Sequence, residues 1–169
     1  VEDVFFLKME EILAYFSMES HPFQSLITQR KSDFEHFQKL TPPRVMLSSG
    51  EILRQQLSTE GLPAGALAAS PVSTGVVEGI AHVIRDPAAE HLTRGEILVA
   101  PFTDPGWTPL FVNAAGLILE TGGMMTHGSV VAREYGIPAV VGVVNATTIL
   151  KSGMRVRVNG DLGYVEILE

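Results

Sequence analysis

From about residue 72 onward the chain is divided into short runs rich in Val and Ile. Each is closed off by Gly, Pro or Asn/Asp: Val76 to Ile84, Glu96 to Ala100, Gly116 to Glu120 and Ala139 to Val143. Runs this short cannot supply the turns of a stable helix, and their β-branched content reads as strand. Helical pieces are predicted between them, at Trp107 to Ala114, His127 to Tyr135 and Asn145 to Leu150. The last stretch predicts a hairpin, Arg155 to Val158 against Tyr164 to Leu168. Its turn is Asn159-Gly160-Asp161, because an Asn-Gly pair tolerates the positive φ angles of tight turns. Strands interleaved with helices make this an α/β segment.

The upstream part has a different texture. Phe5, Phe6, Met9, Ile12, Leu13 and Phe16 form one amphipathic pattern. Phe23, Leu26, Ile27, Phe34 and Phe37 form a second, with Arg30 and Lys31 between them. His21-Pro22 separates the two, since proline disfavours a continuing helix. Two short helices bury little by themselves, so residues 1–40 are expected to be a helical arm belonging to an upstream domain. The start at Val1 rather than Met fits a chain cut from something longer. Thr41-Pro42-Pro43 stops the second helix. Residues 41–71 read as a linker rich in Ser, Gly, Ala and Pro, with one short helical candidate at Gly50 to Leu57. Residues 72–169 are then the folded domain.

Composition excludes several classes of function. Lys plus Arg is 12 against 19 Asp plus Glu, a net charge of −7, where a dedicated nucleic-acid binder would carry a basic face. Cysteine is absent, which removes disulfides, thiol chemistry, zinc fingers and iron–sulfur clusters. No apolar run approaches the roughly 20 residues of a membrane span, and no signal peptide is visible. A cytoplasmic location is the expectation. No histidine pair has persuasive ligand spacing near an acidic residue, so no metal site is expected in this domain.

The informative stretch runs from Leu119 to Pro138. An apolar strand ends near Glu120, Gly122-Gly123 follows, and a short helix begins at Thr126 or His127 and stops at Gly136. The first turn of a helix has N–H groups without intrahelical partners and the positive end of the dipole. Glycines let main chain approach an anion closely. An anion near His127 would meet main-chain donors, and the hydroxyls of Thr126 and Ser129 could add hydrogen bonds. Neutral imidazole is a competent nucleophile at neutral pH, its unperturbed pKa being about 6.5. A lone histidine near glycines is more often a helix cap or a surface residue, and that reading stands beside the catalytic one. Met124-Met125 reads as packing or a contact surface.

Thr121-Gly122-Gly123-Met124-Met125-Thr126-His127-Gly128-Ser129-Val130-Val131-Ala132-Arg133-Glu134-Tyr135-Gly136-Ile137-Pro138-Ala139-Val140 resembles the phosphohistidine signature of the PEP-utilising enzymes. That family includes phosphoenolpyruvate synthase, pyruvate phosphate dikinase, enzyme I of the sugar phosphotransferase system and rifampicin phosphotransferase. The run Thr103-Asp104-Pro105-Gly106-Trp107-Thr108-Pro109-Leu110-Phe111 resembles the rifampicin phosphotransferases and their phosphoenolpyruvate-synthase-like relatives, as does Lys39-Leu40-Thr41-Pro42-Pro43-Arg44. The resemblance implies a swivelling β/β/α phosphohistidine domain. It implies that His127 is the phosphocarrier, with Gly122 and Gly123 shaping the loop and Thr126, Ser129 and Arg133 as candidate phosphate contacts. It implies that ATP and Mg sit on a partner ATP-grasp domain of the same enzyme, that a further domain binds the acceptor, a rifamycin-type antibiotic or pyruvate, and that the isolated domain is inactive alone. Family members often carry a regulatory threonine two residues before the histidine. Met125 occupies that position here, so control of that kind is not expected. The competing readings are a regulatory or binding module that keeps the fold without catalysis, and a structural domain with a buried capping histidine.

Overall fold

A computed structural model describes residues 2–17, 23–40, 43, 45–52 and 59–168. It divides into two compact units, Val1–Gln55 and Gln56–Glu169.

The first unit holds a 3-10 turn, Glu2–Phe6, and two helices, α1 (Met9–Tyr15) and α2 (Phe23–Phe37). Both fall where the apolar spacing placed them. The expected break at His21-Pro22 and the stop at Thr41-Pro42 lie outside the described residues. Among those described, Ile27 alone is buried in this unit, while Phe5, Met9, Phe16 and Phe37 stay exposed. Polar contacts tie the turn and α1 to α2. Arg30 forks onto Glu11 at 2.6 and 2.8 Å and donates to the Phe6 carbonyl at 2.8 Å. Lys31 pairs with Asp3, and the Phe6 ring meets Phe34 edge-on at 6.1 Å. The helix expected from Gly50 does not start there. Ile52 instead bridges Met46 in antiparallel fashion around a turn at Gly50, whose φ of 86° suits glycine, and residues 53–57 lie outside the described set.

The second unit is a mixed α/β fold on an eight-stranded sheet. Its strands are β1 (Leu67–Ala68), β2 (Ser70–Ser73), β3 (Val76–Val83), β4 (Ile97–Ala100), β5 (Gly116–Leu119), β6 (Ala139–Val141), β7 (Arg155–Asn159) and β8 (Tyr164–Leu168), in the spatial order β1-β8-β7-β3-β4-β5-β6-β2. β3, β4, β5 and β6 run parallel to one another, and the pairings outside them, β3–β7, β7–β8, β1–β8 and β2–β6, are antiparallel. Strand alternation sends Leu98, Ala100, Leu117, Leu119 and Val141 into one core with Trp107, Phe111 and Ala132. It sends Ile97, Val99, Ile118 and Val140 into a second core with Val156, Val158, Val165 and Leu150. Short helices α3 (Thr108–Phe111) and α4 (His127–Tyr135) supply residues to the first core, and α5 (Ala146–Ile149) and the β7–β8 hairpin to the second. Burial on both faces explains why β4, β5 and β6 read as unbroken apolar runs.

Two expectations need correction. The linker does not extend to residue 71, because β1 pairs with β8 and β2 pairs with β6. Ala69, Val72 and Ser73 are buried there. Leu67 to Ser73 looked like connection because two small edge strands interrupted by Pro71 show no β-branched run. The hairpin turn also works differently. Its positive φ belongs to Gly163, at 76°, and neither Asn159 nor Gly160 has one. Asn159 instead accepts from the N–H groups of Asp161 and Leu162 through its side-chain oxygen, at 3.1 and 2.8 Å. Gly160 is required because any Cβ there would strike the Ser73 carbonyl.

Candidate functional site

The loops that follow β4, β5 and β6 all leave the same edge of the parallel strands, the C-terminal edge where ligands of open α/β sheets collect. The Thr121 N–H bonds the Pro101 carbonyl at 2.9 Å, and the Val143 N–H bonds the Leu119 carbonyl at 3.2 Å, so the three loops are stitched side by side.

His127 stands at the first position of α4, on the middle loop. Its ring lies edge-on to Phe111, centroids 6.4 Å apart, and Phe111 and Trp107 are both 1% exposed, so the ring rests on a fixed floor. The Thr108 hydroxyl sits 3.5 Å from Nε2. Its proton already goes to the Pro105 carbonyl at 2.8 Å, so it offers the ring only lone pairs. The contact is long; it steers the imidazole without fixing it. His127 itself is half-buried.

The remaining motif residues build the loop. The Ser129 hydroxyl is fully buried and donates to the Gly123 carbonyl at 2.7 Å. The Thr126 hydroxyl donates to the same carbonyl at 2.8 Å and accepts from the Gly123 N–H at 3.3 Å. Although Thr126 is the N-cap residue, its side chain caps no N–H of α4. Arg133 donates to the Met124 carbonyl at 2.7 Å and to the Val72 carbonyl of β2 at 3.2 Å. The structure thus directs Thr126, Ser129 and Arg133 at main-chain carbonyls, and their first effect is to fix the shape of the 122–126 loop. Gly122 is tight, since a Cβ would lie 3.2 Å from both Thr126 Oγ1 and Val141 Cγ1, whereas a Cβ on Gly123 would meet nothing. The left-handed Gly136, φ 67°, ends α4 by returning its N–H to the Ala132 and Arg133 carbonyls.

Sequence reasoning missed the supporting residues on the neighbouring loop. Thr103 packs against Gly128, where a Cβ would collide with its hydroxyl and lie 2.9 Å from Leu119 Cδ1. Gly128 therefore lets the first turn of α4 sit down on the sheet. The Thr103 hydroxyl is buried without a hydrogen-bond partner. Two threonines five residues apart around a tryptophan carried no chemical signal in one dimension.

His82, on β3, pairs through Nδ1 with Glu96 at 2.9 Å. Burial pushes the Glu96 carboxyl up, but hydrogen bonds from His82 and the Thr93 N–H outweigh it, and the net direction is down. Among the described residues no group of three or more His, Asp or Glu could hold a metal ion. Among them, too, no helix is long and apolar enough to cross a membrane.

A half-buried histidine set at a loop-to-helix junction, on the C-terminal edge of a parallel sheet that continues into an antiparallel hairpin, defines this α/β domain. Residues 92–163 of this domain match the sequence profile of the family described as "PEP-utilising enzyme, mobile domain". Rifampicin phosphotransferase of Bacillus cereus is 50% identical over 168 residues, 99% of this chain and 19% of that protein. The Bacillus subtilis enzyme of the same name is 50% identical over 98% of this chain and 19% of its own length. A probable phosphoenolpyruvate synthase of Staphylothermus marinus is 46% identical over 56% of this chain and 12% of its own. The chain therefore spans about a fifth of the length of its rifampicin phosphotransferase relatives. Among solved structures, Thermococcus kodakaraensis aconitase X (holo-form) shares the fold with a TM-score of 0.52 and 26% identity, over 63% of this chain and 100% of that one.

Proposed function

We propose that this domain is the phosphohistidine carrier of a multidomain phosphotransferase. The observation that carries the reading is His127 itself: a half-buried imidazole on a rigid aromatic floor, at the start of α4 and beside a loop that buried hydrogen bonds hold in shape. In the first step a ring nitrogen attacks a phosphorus of ATP. A P–N bond forms and a P–O bond breaks, its electron pair leaving on the nucleotide oxygen. In the second, an acceptor hydroxyl oxygen attacks the same phosphorus, the P–N pair returns to the ring, and the hydroxyl proton passes to a base on the acceptor side. ATP and Mg belong to a partner ATP-grasp domain of the same polypeptide. This chain contributes the nucleophile, its orientation and the main-chain donors at the start of α4.

One side chain must serve two sites, so the domain has to travel. Because Leu67 onward is paired in the sheet, the pivot lies before it, within residues 41–66. The acceptor we favour is a rifamycin hydroxyl, since the relatives matched over nearly the whole chain are named rifampicin phosphotransferases. Pyruvate is the second reading, favoured by the probable phosphoenolpyruvate synthase, which matches over a shorter stretch.

The test is incubation of the full-length enzyme with labelled ATP, followed by peptide mapping. An acid-labile, alkali-stable label on His127 that is discharged by rifampicin supports the reading. Discharge by pyruvate instead selects the second acceptor. A label on serine or threonine, or none on His127, overturns the carrier role in favour of a regulatory or structural module.

A further inference from the structure

The three loops around His127 share two properties that the carrier role does not require. They present large apolar side chains to solvent: Phe102 is 54% exposed, Met124 65%, Met125 85% and Val144 63%. They also carry no cation. From Ile97 through Gly128, and again across Gly142 to Asn145, there is no Lys or Arg. The acids on these loops are occupied, since Asp104 accepts from the Gly106 N–H at 2.7 Å and Glu120 accepts from the Thr147 N–H and hydroxyl, each at 2.7 Å. The one basic side chain on α4, Arg133, is committed to two carbonyls. A phosphoryl group on His127 would bring close to two negative charges. It would sit in an apolar rim to which these three loops and α4 bring no uncommitted side-chain cation.

We propose, resting on the carrier reading above, that the phosphoryl charge is the docking determinant of this face. Phe102, Met124, Met125 and Val144 seat on an apolar surface of the acceptor-binding region of the same polypeptide, and that surface encloses a cationic centre which recognises the dianion. The charged carrier docks because complementary charge within a dry rim is strongly favourable. The discharged carrier, without the phosphoryl charge, loses that attraction and leaves. The remaining four-fifths of the relatives' length holds the partner. The loop geometry fixed by Ser129 and Arg133 holds the Met124-Met125 tip where such a rim can meet it.

The experiment uses methionine oxidation as a footprint in the full-length enzyme. Phosphoenzyme made with ATP and freed of nucleotide by gel filtration is compared with uncharged enzyme under dilute peroxide. Sulfoxide at Met124 and Met125 is followed by mass spectrometry. The expected result is oxidation slowed at least about fivefold by charging, the protection that corresponds to roughly four molecules in five docked. Protection should vanish in His127→Ala taken through the same steps and weaken at high salt. Met125→Lys, which sets a cation beside the phosphoryl group, should abolish protection at Met124, while Met125→Leu keeps it. Unchanged oxidation in an enzyme that demonstrably carries phosphohistidine overturns the proposal and leaves the carrier reading intact. So does protection that survives Met125→Lys. If no phosphohistidine forms, it is the carrier reading that fails.

Discussion

The guanidinium of Arg133, two turns along α4, donates to the carbonyl of Met124 at 2.7 Å and reaches β2 at Val72 with its other nitrogen, at 3.2 Å. One side chain thereby joins the loop before His127, the helix after it and an edge strand. Arg133→Ala should lower the rate of His127 phosphorylation in the full-length enzyme by about tenfold or more, since loop positioning errors of an ångström are costly. It should cost no more than about 2 kcal/mol of stability. Single-turnover labelling and thermal unfolding check the two halves. A stability loss without a rate loss would show that the loop geometry does not matter.

His127→Ala should abolish labelling while leaving the domain folded. The ring is half-buried and makes one long polar contact, so the stability change should stay within about 1 kcal/mol. A loss of several kcal/mol, measured by denaturant unfolding, would support a structural histidine instead.

The two glycines on either side of His127 should behave oppositely. Gly128→Ala drives a methyl into Thr103 and Leu119 and should destabilise by about 1–3 kcal/mol, the usual cost of overpacking. Gly123→Ala meets nothing and should be near neutral. Paired unfolding curves decide this, and equal costs would contradict the packing of α4 on the sheet.

In the helical unit, hydrogen bonds from Arg30 and from the Lys8 N–H hold the Glu11 carboxyl down at about 2, against an ordinary value of 4.5. The sign follows from linkage: a depressed carboxylate stabilises above its unfolded pKa and loses that contribution as pH falls through the folded one. Helicity that depends on Glu11 should therefore fade between about pH 4.5 and about pH 2, and Glu11→Gln should flatten that part of the titration. Circular dichroism of the intact protein and the variant, at low salt because the pair is near the surface, reads the difference.

Much of this protein was legible in one dimension because its signals are local. Four-residue Val/Ile runs, the Gly136 stop and the spacing of phenylalanines are properties of neighbouring residues, and the strands and α4 fell where they pointed. So did the position of His127, because a strand, paired glycines and a helix start are contiguous in sequence. The roles of the surrounding side chains were not legible. Whether Ser129 and Arg133 face an anion or a carbonyl depends on where the Gly123 and Met124 main chain passes. Thr108 and Phe111 reach His127 across a strand and a loop. Edge strands β1 and β2 were lost because their stability comes from distant partners, Tyr164 and Val165 for one, Ala139 to Val141 for the other. The sequence alone determined the central strands, the β7–β8 hairpin, α4 and the place of His127 at its start. Only the tertiary structure decided what each polar group bonds to, since hydrogen-bond partners are set by which backbones meet once the two apolar cores have closed.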